Sequence, residues 1–282
     1  MNKKFFLLLM IFCENIPQSF NNSTQFALLP VSFNNSDEML LFLKQFLPAS
    51  PVILEAGANQ GEDTLKMMFL WTKSNIHVFE PSPHCFSLLK KHIAAFPLIK
   101  SYPYALTNFC GEAEFYIGIN EAPASSSIDE PLEIGNSFEK KPIKVPCLTI
   151  DEWATQNKIS SIDFMWLDME GHELCALQKA TDILKNTKII YTEVSYEPIR
   201  KTGCSYLDLK AFLEKQGFLE VWRWRLGNIY KFGDALFIKK DALLEFENGF
   251  FAKYINAPKK LTFLTNLIPF EKHGWIDLSQ VK

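Results

Sequence analysis

The stretch LDMEGHE, residues 167–173, brings Asp168, Glu170, His172 and Glu173 into six consecutive positions, and TEV at 192–194 adds Glu193. Side chains of these types suit proton transfer. A carboxylate or an imidazole beside a reacting hydroxyl takes its proton as bond making begins. Asp168, Glu170, His172 and Glu193 are therefore the candidate catalytic residues. Glu173 fits the first turn of a helix, where the dipole favours an acid. The oxygens of Asp168, Glu170 and Glu193 are also hard enough to suit a divalent cation. The sequence carries no metal-binding loop, so no metal ligand is assigned.

A second stretch, ILEAGANQG (53–61), ends an apolar run in an acid and two glycines. A phosphate-binding loop needs lysine after its last glycine, and here Glu62 and Asp63 follow. A dinucleotide turn needs a central glycine between its outer two, and that glycine is missing. The ligand left is a nucleoside that carries positive charge and no phosphate, such as S-adenosylmethionine. Gly57 and Gly61 then let backbone approach the amino-acid tail. Glu55 supplies negative potential, and Asn59 is a candidate hydrogen-bonding partner. Glu80 lies 25 residues after Glu55, at the end of the next strand. An acid at that station accepts from ribose hydroxyls. The candidate cofactor-binding residues are Glu55, Gly57, Asn59, Gly61, Glu80 and Asp168.

The elements that must position these groups alternate between strand and helix. Strands are predicted at 51–57, 76–80, 98–102, 162–168 and 188–194. Helices are predicted at 61–73, from Ser82 and Pro83 through Phe96, at 172–184, and at 206–217 with Gly217 as its stop. GEAEFYIGI (111–119) alternates like an edge strand, 122–142 reads as loop, and KVPCLTI precedes a short helix behind Asp151. FLEVWRWR and DALFIKK form a terminal antiparallel pair, with Trp222 and Trp224 contributing one face to the core. This alternation implies an α/β fold with a mostly parallel sheet. Ligands bind such sheets beyond the carboxyl ends of the strands, where strand order reverses. Ser125–Ser127 is a candidate wall of that cleft, and 196–204 a candidate lid in which Arg200 and Lys201 are solvated.

The set EAGANQG (55–61), FEPSP (79–83), LDMEGHE (167–173) and YTEV (191–194) resembles the FkbM family of S-adenosylmethionine-dependent methyltransferases. The order and spacing fit across roughly residues 50–240. The resemblance implies a Rossmann-like methyltransferase fold: a seven-stranded sheet, its last strand antiparallel, with helices on both faces. It also implies O-methylation of a hydroxyl on a small molecule or saccharide. Trp166 stands where many members carry lysine.

The organisation expected is an apolar N-terminal segment and linker (1–36), the methyltransferase domain (37–240) and a C-terminal extension (241–282). Net charge is −3, without the basic field of a nucleic-acid binder, so no nucleic-acid partner is expected. The apolar run at residues 4–13 is too short to span a bilayer as a helix, yet long enough for membrane contact or an export signal. A cytoplasmic location is the first expectation, with membrane association or export the alternative. Six scattered cysteines without a C-x-x-C pair read as buried free thiols. A non-catalytic scaffold that keeps the fold, or a nicotinamide oxidoreductase on a related sheet, are the competing functions.

Overall fold

A computed structural model of the chain describes residues 33, 35–120, 124–197, 199–225, 231–243 and 245. Residues 1–32 and nearly all of 241–282 lie outside that set, so the apolar segment at 4–13 and the C-terminal extension fall beyond the described residues. No helix among the described residues is long and apolar enough to cross a membrane.

Helix α1 (Ser36–Leu43) precedes β1 (Val52–Ala56), α2 (Glu62–Leu70), β2 (Asn75–Phe79), α3 (Pro83–His92) and β3 (Ile99–Tyr102). Three strands then form a separate small sheet: β4 (Ala105–Leu106), β5 (Gly111–Phe115) and β6 (Ile143–Leu148). The main sheet resumes through α4 (Ile150–Asn157), β7 (Ile162–Leu167), α5 (Glu173–Leu177), β8 (Thr187–Ser195), α6 (Tyr206–Lys215), β9 (Phe218–Arg225) and β10 (Phe232–Lys239). Its order is β3-β2-β1-β7-β8-β10-β9, with β10 antiparallel to both neighbours. Strand order therefore reverses between β1 and β7, which places the ligand crevice at their carboxyl ends.

Apolar surface packs on both faces. One face buries Ile150 and Trp153 of α4, Leu174 and Leu177 of α5, and Leu209 and Leu213 of α6. The other buries Met39 and Leu40 of α1, Met67 of α2 and Leu89 of α3. Because side chains alternate along a strand, both faces of β1 and β7 must be apolar, as VILEA and IDFMWL largely are. Trp166 is buried, 4.4 Å from the Tyr191 ring on the next strand, so it fills the sheet face instead of reaching the cleft.

Several boundaries differ from expectation. The predicted 172–184 helix stops at Leu177, and a 3₁₀ turn follows at Ile183–Asn186. The carboxylate of Asp151 accepts from the backbone N–H of Asp182 and Ile183, so it caps that turn, while Thr149 caps α4. Trp222 is buried but Trp224 is exposed: Trp222 pairs with buried Leu236, and Trp224 with Asp234 toward the end of the strand. Of the cysteines, Cys147 is buried, Cys110 is exposed, Cys85, Cys175 and Cys204 are half-buried, and Cys13 lies outside the described residues. The reading of uniformly buried thiols is corrected accordingly.

The two glycines of the first turn have unequal surroundings. Gly57 has φ +85°, and an added Cβ would lie 1.8 Å from the Asp168 carbonyl oxygen. Gly61 has φ +94°, and its Cβ would lie 2.7 Å from Cδ1 of Leu89, the end of a flexible side chain. Backbone cannot yield as a leucine tip can. Gly57→Ala is therefore expected to destabilise the fold by about 4 kcal/mol or more, and Gly61→Ala by about 1–2 kcal/mol. Urea unfolding of both variants checks this, and equal costs would show that the β1–β7 contact is not the constraint.

Candidate active site

The β1 turn is built by short-range bonds. Gly57 and Ala58 donate backbone N–H bonds to the Phe79 carbonyl at 3.0 and 3.1 Å. Asn59 adopts φ 46°, in the left-handed region that asparagine tolerates. Its N–H donates to Glu80 Oε2 at 2.8 Å, and the N–H of Ser82 donates to Glu80 Oε1 at 2.7 Å. Glu80 thus joins the ends of β1 and β2 and keeps one lone pair on each oxygen for a ligand. Burial pushes its carboxyl up to about 7, although the two N–H bonds pull the other way. Behind it, Trp153 meets the Phe79 and Tyr102 rings edge-on, which fixes the β2 and β3 ends.

Glu55 sits beneath the turn, buried, with Thr64 of α2 donating to Oε2 at 2.5 Å. Burial raises its carboxyl to about 8. It does not line the cleft; it ties β1 to the start of α2. Gly61 likewise faces Leu89 of α3. Both were expected against the cofactor, and both hold the elements that frame it.

The second half of the site is the turn after β7. Glu170 and Gly171 take left-handed φ values of 57° and 100°. Buried Glu173 accepts from the N–H of Met169 at 2.7 Å and of Gly171 at 3.3 Å, so it caps this turn as well as opening α5. His172 is buried, with Nδ1 2.9 Å from Asp129 Oδ2 and Nε2 2.9 Å from the Thr107 hydroxyl. Thr202 donates to the other Asp129 oxygen at 2.5 Å. Both ring nitrogens are engaged, so His172 joins three segments and is not the free imidazole expected of a general base.

Arg200 is the largest departure from the sequence reading. It was expected in solvent and is 4% exposed. Nη2 donates to Glu170 Oε2 at 3.1 Å and to the Ser125 carbonyl at 2.8 Å, while Nε donates to the Glu170 carbonyl at 3.1 Å. Its guanidinium also lies 5.2 Å from the Phe138 ring. Residues 196–204 are thus clasped to the 124–138 loop and the Glu170 turn. Lys201, half exposed, adds a 2.6 Å ion pair with Glu130.

Asp168 and Glu193 have no such partners. Each carboxylate lacks a hydrogen bond or ion pair among the described residues, and Glu193 Oε2 is sealed from solvent. Asp168 is open to the cleft yet surrounded by protein, and burial together with Glu170 and Glu173 pushes its carboxyl well above the usual range. Burial and Asp168 do the same to Glu193. Asp234, missed in the sequence, lies opposite Glu193 in the β8–β10 register, and burial pushes it to about 6. An acid in an otherwise apolar strand was its one local signal.

The ends of β1, β2 and β7 frame an open cleft at the β1/β7 switch point. Gly57, Asn59, Glu80, Asp168 and Met169 line it, with Phe79, Tyr104, Leu106 and Ile128 giving apolar wall. The small sheet and the serine loop close one side. Ser127 donates to the Met169 carbonyl at 3.0 Å, and the Ser126 hydroxyl accepts from the Gly118 N–H at 2.9 Å. No described lining residue is lysine or arginine.

The family described as "Methyltransferase FkbM domain" matches residues 55–220. The chain belongs to this family. Membership makes it an S-adenosylmethionine-dependent methyltransferase, with S-adenosylmethionine its cofactor. A curated relative, 2-O-methyltransferase NoeI of Sinorhizobium fredii (strain NBRC 101917 / NGR234), is 26% identical over 173 residues, covering 58% of this chain and 70% of that protein. Similar solved structures include Aeropyrum pernix fibrillarin with natively bound S-adenosyl-L-methionine, at 12% identity, TM-score 0.44, and 71% and 74% coverage of this and that chain. A putative rRNA-methylase from Clostridium thermocellum gives 13% identity, TM-score 0.44, and 74% and 98% coverage.

Two outcomes test this geometry. Glu55 is raised from near 4.5 to about 8 on folding, so the folded state binds the extra proton in between. Its contribution to stability is full below pH 4.5 and is lost as pH rises to about 8. Glu55→Gln should flatten that fall in urea unfolding series, and an unchanged slope would move the cause elsewhere. Arg200→Gln should cost about 3 kcal/mol, because it strands Glu170 in a dry site. Adding Glu170→Gln should recover part of the loss; a purely additive pair in the same unfolding assay would mean the two groups are not coupled.

Proposed function

We propose that the chain methylates a hydroxyl oxygen of a saccharide or other small molecule, with S-adenosylmethionine held in the cleft at the β1/β7 switch point. The charge of the lining carries this reading. Glu80 and Asp168 offer acceptor oxygens and negative potential, and the helix after the β1 turn opens with Glu62 and Asp63, which oppose the pyrophosphate a helix N-terminus otherwise binds. A nucleoside bearing a sulfonium and an ammonium fits such a lining; a nicotinamide dinucleotide does not. NoeI is a 2-O-methyltransferase by name, and that oxygen chemistry is what we carry over.

We assign Glu80 to the ribose hydroxyls through its remaining lone pairs. The backbone at Gly57 and Asn59 serves the amino-acid tail, and the Phe79, Leu106 and Ile128 wall takes the base. S-adenosylmethionine supplies an electrophilic methyl group, so orientation does much of the catalysis. A hydroxyl acceptor must still lose its proton. Its Arg200 ion pair through Oε2 weakens Glu170 as a base, and His172 is committed to its two partners. Asp168 and Glu193 remain, both free of hydrogen bonds and both raised toward the range where a carboxylate takes a proton efficiently. Asp168 faces the cleft, so we assign it the base role, with Glu193 behind it on the acceptor side.

Calorimetric titration of the full chain with S-adenosylmethionine, S-adenosylhomocysteine and NADH tests the site. The first two should saturate and NADH should not. Glu80→Ala should weaken both by about 10–100-fold, the cost of hydrogen bonds to a charged acceptor. Glu80→Gln, which keeps one acceptor oxygen and the shape of the turn, should fall between. Tight NADH binding, or no S-adenosylmethionine binding by folded protein, would overturn the assignment.

A further inference from the structure

One oxygen from each of Asp168, Glu170 and Glu193 lies within 4.8 Å of the other two. The groups come from the end of β7, the turn after it, and β8. Clustered acids are common without an ion, so convergence alone decides nothing. Two other features do. Glu193 Oε2 is shut off from solvent and accepts no hydrogen bond. Ser195, two residues further along β8 and so on the same sheet face, is 5% exposed, and its hydroxyl also lacks a partner. A buried polar oxygen left unpaired is costly, and more so when charged. Here such oxygens gather at one strand end, across from a further acid, Asp234. Among the described residues, the cluster's one ion pair is Arg200 with Glu170.

We propose that Asp168, Glu170 and Glu193 bind a hard divalent cation at the acceptor side of the cleft. All three donors are oxygen, which suits Mg²⁺, Mn²⁺ or Ca²⁺ and disfavours metals that prefer nitrogen or sulfur. Modest side-chain rotation brings the three oxygens onto the shell of one such ion. Three protein oxygens leave coordination positions for water and for one acceptor hydroxyl.

The ion's role rests on the methyltransferase reading; the site does not. A hydroxyl oxygen on a divalent cation loses its proton more readily. That proton passes to the Asp168 oxygen the ion does not use. The acceptor oxygen then bonds to the methyl carbon as the carbon–sulfur bond breaks, and the pair of electrons from that bond stays on sulfur. Charge balances, because the cation offsets carboxylates that the protein leaves unpaired.

The test uses the full chain, stripped with a chelator, desalted and titrated with MnCl₂ while free Mn²⁺ is read by electron paramagnetic resonance. Saturable uptake at one site is expected, displaced by Mg²⁺ or Ca²⁺. Glu193→Gln and Asp168→Asn should each weaken it about 10-fold or more, whereas Asp182→Asn, remote from the cluster, should not. Thermal melting in chelator confirms that each variant folds. Asp168 opens to the cleft, so its variant serves if Glu193→Gln does not fold. No uptake by folded wild type up to millimolar Mn²⁺, or undiminished uptake in the folded variants, would overturn the site. S-adenosylmethionine calorimetry in chelator runs beside it. Cofactor binding without Mn²⁺ uptake would defeat the cation alone, and Mn²⁺ uptake without cofactor binding would defeat the methyltransferase reading alone.

Discussion

Where strand order reverses, the backbone at Gly57 comes so near the Asp168 carbonyl that a methyl group would sit 1.8 Å from it. Much of the site depends on that approach. The Asp168 N–H donates to the Ala56 carbonyl at 2.9 Å, so β7 stays paired to β1 up to the crevice. The turn at 168–172 must then bend away at once. It does so through consecutive left-handed residues, with Glu173 satisfying the amides that the bend exposes. A side chain at position 57 would part the strands and lose both the crevice and the direction in which Asp168 leaves its strand. The glycine was read as making room for a ligand. It also makes room for a neighbouring strand, and its backbone lines the cleft that results.

The electrostatic arrangement follows from sheet geometry. Glu55, Asp168, Glu193 and Asp234 come from four strands adjacent in the sheet, β1, β7, β8 and β10. Strand alternation puts them on one face near one edge. Carboxylates crowded in a poorly solvated region raise one another's proton affinity, and burial adds to the effect. The protein meets this crowding differently at each position. Glu55 is held by a threonine, Glu80 by two backbone amides, Glu173 by two more, and Glu170 by an arginine. Asp168 and Glu193 receive no such help. In the function proposed above, Asp168 faces the acceptor hydroxyl and Glu193 stands behind it. A fold that satisfies Glu55, Glu80, Glu170 and Glu173 and leaves Asp168 and Glu193 bare concentrates unspent electrostatic free energy at the end of β7 and β8.

How much of this was legible depended on the range of the interactions involved. The alternating pattern, the strand ends and the Ser82–Pro83 helix start are local properties, and they matched the structure closely. Glu80 was legible too, since its place at the end of β2 follows from strand length and turn spacing. The misreadings share a cause. Arg200 looked solvated because its neighbours are polar, but its partners Ser125 and Glu170 lie 75 and 30 residues away. His172 was a candidate base by residue type, and its partners Asp129 and Thr107 lie 43 and 65 residues away. Asp234 became visible only once β10 was seen to insert between β8 and β9. Single-sequence reasoning orders residues along strands and helices. It does not say which loop folds over which strand end.

That difference in range also divides the site. The side that carries Gly57, Asn59 and Glu80 is made almost wholly by β1, β2 and the turns after them, within some thirty residues of chain. The opposite side is assembled from the small sheet, the 124–138 loop and the 196–204 clasp, joined through Arg200, His172 and Asp129. Surface segments of that kind tolerate change in length and sequence better than strand ends do. Substitutions there can reshape what lies opposite Asp168 without disturbing the turn that holds Glu80. Arg200 and His172 are the limit on that freedom, because each is buried and each ties the variable wall to the 168–173 turn. In the function proposed above, acceptor preference resides in the side chains this wall presents to the cleft, while Arg200 and His172 keep the wall in register with Asp168.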